Sequence, residues 1–229
     1  MSTVLETPAP PATGADGDIL VPVAGEPVVL HGVSWKLYRK LRRMPENYNI
    51  RMIYDRGVLE FMSPLRVHEE IAEFLGDLVV IWALERDIEI AACGKMTIRR
   101  RDLDRGFEPD NCYYIQHEAQ MRGTKKVNFK SDPPPDLAIE VEVTRALGKK
   151  AEIYAAFRVP ELWIWSGNAL KVFELSGGGQ YAPRESSICF PQLPIVKLED
   201  SVRRLGSMGR TALLRSFRDW ARADSPTGR

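Results

Sequence analysis

The sequence predicts an α+β domain with an α/β-like rhythm, a mixed β-sheet flanked by helices. Three observations carry that prediction. Helical and strand-like patterns alternate along the chain, helix, strands, helix, strands, helix, strands, helix, which is the order of a layered sheet-and-helix domain. Ile71, Phe74, Leu75, Leu78, Val79 and Trp82 recur at helical spacing. The run Leu137–Val143 is rich in Leu, Ile and Val with acids interspersed, the pattern of a central strand.

The elements follow in order. Ser34 is a capping residue for a short helix over Trp35–Arg43, whose apolar members are Trp35, Leu37, Tyr38 and Leu41. Two strand-like runs, Asn49–Tyr54 and Val58–Met62, are separated by Asp55-Arg56-Gly57, a hairpin signal. A long helix spans Val67–Glu85, with Glu69 and Glu70 in its first turn, where negative charge suits the helix dipole. Short strands follow at Ile88–Ala92, Met96–Arg99 and Asn111–Gln116. Residues 117–135 form a polar connection ending in Pro133-Pro134-Pro135. After the central strand comes a helix over Leu147–Phe157, closed by Val159-Pro160. Strands Glu161–Trp165 and Leu170–Leu175 meet at a Gly167-Asn168 hairpin, and a final helix, Thr211–Arg222, buries Leu213, Leu214, Phe217, Trp220 and Ala221.

With 229 residues, 44% of them hydrophobic and 28% charged, the chain is long enough for one core without a disulfide or metal staple. The division expected is a flexible, Pro- and Ala-rich tail over 1–28, a main domain over 29–200, and a C-terminal helix with an Arg-rich tail over 201–229. Net charge is +1, but unevenly placed: residues 1–35 hold four acids and no Lys or Arg, while residues 203–229 hold seven Arg against Asp219 and Asp224. The middle is balanced, so no broad basic field announces nucleic acid. The arginines of the tail suit either phosphate contact or the solvated face of a helix. Three cysteines without Cys-x-x-Cys spacing, and no N-terminal leader pattern, point to a reducing cytoplasm. No run approaches the ~20 apolar residues a membrane helix needs.

Carboxylates supply the chemistry. Asp110 opens one strand, while Glu140 and Glu142 lie two apart in another and so share a face. Two charges on an apolar strand are costly to bury unpaired. A hard divalent cation, Mg²⁺ or Mn²⁺, offsets that cost; so does a salt bridge on a half-exposed strand. Three histidines and scattered cysteines do not make a zinc site. Lys149 and Lys150 open the next helix, where an ammonium can stabilise developing negative charge or remain simply solvated. Other chemistries lack their residues: Gly148-Lys149-Lys150 has no following Ser or Thr for a phosphate-binding loop, and no Gly-x-Ser-x-Gly occurs.

Several motifs carry a resemblance. Pro135-Asp136-Leu137-Ala138-Ile139-Glu140-Val141, then Tyr154, then Val159-Pro160-Glu161-Leu162-Trp163 stand in order. Upstream lie Leu59-Glu60-Phe61-Met62-Ser63-Pro64 with His68-Glu69, and Gly106-Phe107-Glu108-Pro109-Asp110-Asn111-Cys112-Tyr113-Tyr114-Ile115. Together, over roughly residues 35–200, they resemble the Uma-two family of the PD-(D/E)XK nuclease-like superfamily. The resemblance implies a restriction-endonuclease-like domain over 29–200. It implies that Asp110 is the metal-binding Asp and Glu140 the first acid of the (D/E)XK motif. Glu142 stands at the third position in place of Lys, and Lys150, on the following helix, takes the corresponding role. Glu69 matches a helix acid that some superfamily members add to the site; His68 and Glu60 match motif positions without an assigned role. Asn111 and Lys95 depart from the family pattern, which expects an acid and a small residue there.

The function implied is a Mg²⁺- or Mn²⁺-dependent endonuclease that hydrolyses DNA, with Asp110, Glu140 and Glu142 on the metal, and with a homodimer as in many superfamily nucleases. Two alternatives stand beside it. One is a non-catalytic nucleic-acid-binding module on a decayed nuclease fold, favoured by the balanced core and the displaced Lys. The other is a partner-binding protein with Trp163, Trp165 and Trp220 at an interface, although aromatic residues at such spacing usually belong to a core.

Overall fold

The computed structural model describes residues 27–142 and 148–224. Residues 1–26 of the expected tail, the segment 143–147, the side chain of Lys149 and residues 225–229 lie outside the described residues. In chain order the elements are β1 (Val28–Leu30), α1 (Trp35–Leu41), β2 (Arg51–Asp55), β3 (Val58–Met62), α2 (Arg66–Glu85), β4 (Ala91–Ala92), β5 (Ile98–Arg100), β6 (Arg105–Phe107), β7 (Asn111–Tyr114), α3 (Glu118–Met121), β8 (Leu137–Glu142), α4 (Gly148–Ala156), β9 (Glu161–Ser166), β10 (Ala169–Leu175), β11 (Tyr181–Arg184), α5 (Ile195–Arg203) and α6 (Arg210–Ala223).

The α+β class holds, but the strands divide between two sheets where one was expected. The mixed sheet runs β11-β10-β9-β8-β7-β4, and the second runs β1-β3-β2-β6-β5. Within the mixed sheet β8 and β9 are parallel and the other neighbours antiparallel. A parallel pair needs a crossover, and α4 supplies it. Both expected hairpins form through two-residue turns with positive φ, Arg56-Gly57 (45° and 89°) and Gly167-Asn168 (58° and 64°), the twist that suits paired strands.

Strand parity sorts the core. Leu137, Ile139 and Val141 of β8, with Trp163 and Trp165 of β9, join Phe74, Leu75, Leu78, Val79 and Trp82 of α2. Leu198 of α5 and Leu213 and Phe217 of α6 complete that core. Trp220 stacks on Trp82 at 5.7 Å between centroids, so the three tryptophans pack within the molecule. On the opposite face Ala138, Leu162 and Ile164 meet Ile153, Tyr154 and Phe157 of α4, with Ile98 and Phe107 of the second sheet. The far side of the second sheet is covered by α1, where Tyr38 stacks on Tyr54 at 4.7 Å.

Helix termini follow the chemistry of their residues. Ser34 accepts from the Leu37 amide at 3.2 Å and starts α1. Asp87, with φ 50°, lets the Ile88 amide reach back to Ala83 and close α2; Arg158, with φ 60°, does the same for α4 through Val159 and Tyr154. At Gly76 helix α2 comes so close to β7 that an added Cβ would lie 3.1 Å from the Tyr113 hydroxyl and 3.2 Å from the Asn111 amide. Along α6, Arg210 pairs with Asp77, and Arg218 and Arg222 both pair with Glu85, so these arginines tie the helix to α2. No helix among the described residues is long and apolar enough to cross a membrane.

Candidate metal and active site

The site lies where the mixed sheet, the second sheet and the first turn of α2 meet. Register puts it there. Asn111 pairs with Ile139 and Cys112 with Ala138, so Asp110 falls level with Glu140. Glu140 and Glu142 share the face of Ala138, turned toward α4 and away from the apolar core beneath α2. From the second sheet, Arg51 and Ile53 of β2 point the same way, as does Glu60, which pairs with Ile53 across β2 and β3. These side chains surround a cavity of about 20 Å³ lined by Arg51, Glu60, His68, Asp110, Glu140 and Lys150, among others. That is room for one water-sized body.

Asp110 is 3% exposed. Its Oδ2 accepts from the Val141 amide at 2.9 Å and lies 3.2 Å from His68 Nε2, while Arg51 stands 3.6 Å from Oδ1. Burial opposes its charge, but hydrogen bonding and attraction from His68, with the charges of Lys150 and Arg51, hold the carboxyl below its ordinary pKa. Glu140 accepts from Lys150 Nζ at 3.1 Å and from the Tyr154 hydroxyl. Burial lifts its pKa, against the pull of Lys150 and with the push of Asp110. Glu142 lies 3.8 Å from Lys150, and its Oε2 is buried without a hydrogen-bond partner among the described residues. Burial lifts the pKa of Glu142 too, with Lys150 opposing and Glu140 and Asp110 adding repulsion. Lys150 is held protonated: burial lowers its pKa, but the three carboxylates outweigh that. Tyr154 is pushed well up by burial and by Glu140.

The four residues singled out on the strands and the following helix are therefore neighbours. Glu69 lies on the other flank of Asp110. Its carboxylate pairs with Arg51 at 3.0 Å and with Lys95, and its Oε1 is 3.5 Å from His68 Nδ1. His68, Glu69 and Asp110 each offer a ligand atom within 4.8 Å of the others. Asn111 turns away from the site and donates to Ala72 at 2.7 Å, so an acid at that position would lose a contact with α2.

Three participants have no role assigned from the sequence, although His68 and Tyr154 stand in the motifs that carry the resemblance. Arg51 reaches the site because the second sheet stacks over β7 and β8, and no local pattern announces that. His68 becomes a partner of Asp110 through the close approach of α2. Tyr154 had a signal, since it follows Lys150 by four residues and so shares its face of α4.

Whether the residues fit a divalent cation can be judged from their chemistry. Glu140 and Glu142 offer hard carboxylate oxygens, one of which lacks a hydrogen-bond partner among the described residues, and they share Lys150. Asp110, met by His68 and Arg51, belongs with His68 and Glu69 to the group whose ligand atoms lie within 4.8 Å of one another. A small, hard cation meets each of these conditions.

Comparison with a family model agrees in class. The family model described as "Uma2: Putative restriction endonuclease" matches residues 37–207. No curated protein matches. Among solved structures, one described as a "putative nuclease belonging to DUF820 from Anabaena variabilis ATCC 29413" is similar at 12% identity, over 72% of this chain and 90% of that one, with a TM-score of 0.43.

Proposed function

We propose, on the premise that this chain belongs to the Uma2 family, that it is a divalent-metal-dependent endonuclease that hydrolyses DNA phosphodiester bonds at Asp110, Glu140 and Glu142. The observation that supports this best is the gathering of the buried Asp110 and Glu140 with Lys150 around a cavity of about 20 Å³, with Glu142 3.8 Å from the same lysine. In this reading Asp110, Glu140 and Glu142 hold Mg²⁺ or Mn²⁺, with His68 and Glu69 flanking Asp110. When bound, the cation polarises a phosphate oxygen and acidifies a water.

The chain's own groups have separable tasks. The Val141 amide and His68 fix the orientation of Asp110 before any substrate arrives. Tyr154 and Lys150 do the same for Glu140. Lys150 keeps its proton, so it offers positive charge where negative charge grows on the phosphate. Its place on α4 gives the ammonium that a lysine at position 142 would otherwise provide.

A plasmid-nicking assay with Mg²⁺, Mn²⁺ or EDTA tests the proposal, run beside Asp110→Asn and Glu140→Gln. Metal-dependent nicking that both variants lose is the expected result. Nicking that both variants retain would overturn the assignment. DNA binding without nicking under any metal would instead support a non-catalytic module on the same fold.

A further inference from the structure

Next to the acidic cavity lies a larger, open cleft of about 380 Å³, lined by Arg42, Tyr48, Arg51, Glu69 and Lys95 among others. Arg51 and Glu108 line both spaces, so the cleft leads to Asp110. Its floor is cationic but internally paired. Arg42 binds Glu108, while Arg51 and Lys95 bind Glu69. A deep positive field is therefore absent from the cleft, in keeping with a chain of net charge +1. Lys95, whose side chain is 35% exposed, is the most accessible of these cations.

Tyr48 stands at the lip and is 82% exposed, the most exposed large apolar side chain among the described residues. One exposed ring means little by itself. This ring, however, is carried on a stapled turn. The Tyr48 amide donates to Pro45 at 3.1 Å, the Asn47 side chain to Leu41 at 2.9 Å, Arg42 to the Asn47 carbonyl at 3.1 Å, and the Ile50 amide to Asn47 at 3.0 Å. A flat, pre-positioned aromatic face beside a phosphodiester site suits base stacking, which is tolerant of sequence and does not rely on a basic field. The volume narrows the ligand further. It sits at the low end of pockets that take one small molecule, a size that suits a single nucleotide unit.

We propose that this cleft receives one unpaired nucleotide of the DNA strand next to the scissile phosphate, with its base stacked on Tyr48 and its phosphate met by Lys95. The proposal rests on the nuclease reading and names the substrate class of that site, a strand that is single, frayed or locally opened.

The test is binding, read apart from cleavage. Fluorescence anisotropy of the full chain is measured with matched single-stranded and duplex oligonucleotides, in EDTA and in Ca²⁺. The strand carries 2-aminopurine as a reporter of stacking. The wild type is expected to bind the single strand more tightly and to quench the reporter. Tyr48→Ala is expected to weaken single-strand binding by roughly 5- to 100-fold and to abolish the quench, while Tyr48→Phe retains both. Lys95→Ala is expected to reduce the salt slope by about 0.7, which Tyr48→Ala leaves unchanged. Tyr48→Ala binding like the wild type, or weakening duplex and single strand equally, would overturn the assignment of the cleft. If metal-dependent nicking persists in that case, the nuclease reading stands alone. If the wild type binds neither oligonucleotide, the assignment of the cleft falls, and the nicking assay decides the nuclease reading separately.

Discussion

Glu140 and Glu161 lie on neighbouring parallel strands, β8 and β9, and both are buried, at 5% and 0% exposed. Their surroundings are opposite in kind. Glu161 accepts from the Ile188 amide at 2.9 Å, the Cys189 amide at 2.7 Å and the Trp163 indole. These donors are neutral and fixed by the backbone or a packed ring, and they tie the segment after β11 to the sheet. Glu140 is met by a lysine and a phenol, with two further carboxylates close by. A carboxylate that builds the fold is saturated by dipoles that cannot leave. Under the proposed function, Glu140 is held by an ammonium that can be redistributed when a cation or phosphate arrives, beside a neutral phenol. Burial alone does not separate the two roles; the identity of the donors does.

The comparison is broken or sharpened by four expectations. The largest concerns activity. Lys150→Ala should lower nicking by about 10²- to 10³-fold, the usual scale for removing one preorganised charge-stabilising group, while Glu161→Gln leaves turnover per folded molecule intact. Equal losses in the two variants would erase the distinction. Next is stability. Glu161→Ala strands the Ile188 and Cys189 amides and the Trp163 indole and should cost about 3 kcal/mol in urea unfolding, whereas Glu140→Gln relieves repulsion and should cost little. A neutral Glu161→Ala would show that the Glu161 network is dispensable.

The third expectation is linkage. Mg²⁺ or Mn²⁺ at about 100 times its Kd should add about 2.7 kcal/mol to the unfolding free energy of the wild type, seen as a rise in Tm, and should do nothing for Glu140→Gln. Glu161→Gln should retain the rise. The smallest effect belongs to Glu85, which joins α2 to α6. The hydrogen bond from Arg218, with Arg222 adding to it, holds the Glu85 carboxyl below its ordinary pKa. Its contribution is therefore present above the unfolded pKa of about 4.3 and is lost as pH falls through the lower folded value. Solvent screening limits it to under about 1 kcal/mol, so Glu85→Gln should lose that much near neutral pH and match the wild type in strong acid.

Much of this was legible in the chain. The long α2, the β8 strand and both hairpins follow from periodicity and turn chemistry. Strand parity puts Glu140 and Glu142 on one face, while Asp110 and Lys150 join them through the motifs that carry the family resemblance. The elements that escaped are those with little local signal. β1 and β6 are three residues each, and β6 owes its place to pairing with β2 and β5. β11 contains Pro183, which an edge strand tolerates but which reads as a break. α5 begins on Ile195-Val196, and its buried pair, Leu198 and Val202, is only one helical repeat long. The second sheet, and with it Arg51 over Asp110, comes from packing between segments far apart in sequence.

Gly76 sits two turns along α2 from His68, about 12 Å by helical rise. With a methyl group there, the Asn111 amide and the Tyr113 hydroxyl would have to give by a few tenths of an ångström, or the helix would have to ride up on them. The helix is stiff, so lifting it at that fulcrum would also carry its first turn, and the imidazole of His68, away from Asp110. One missing side chain thus works as a spacer of zero thickness, setting from a distance the gauge between helix and sheet beside the acidic cluster.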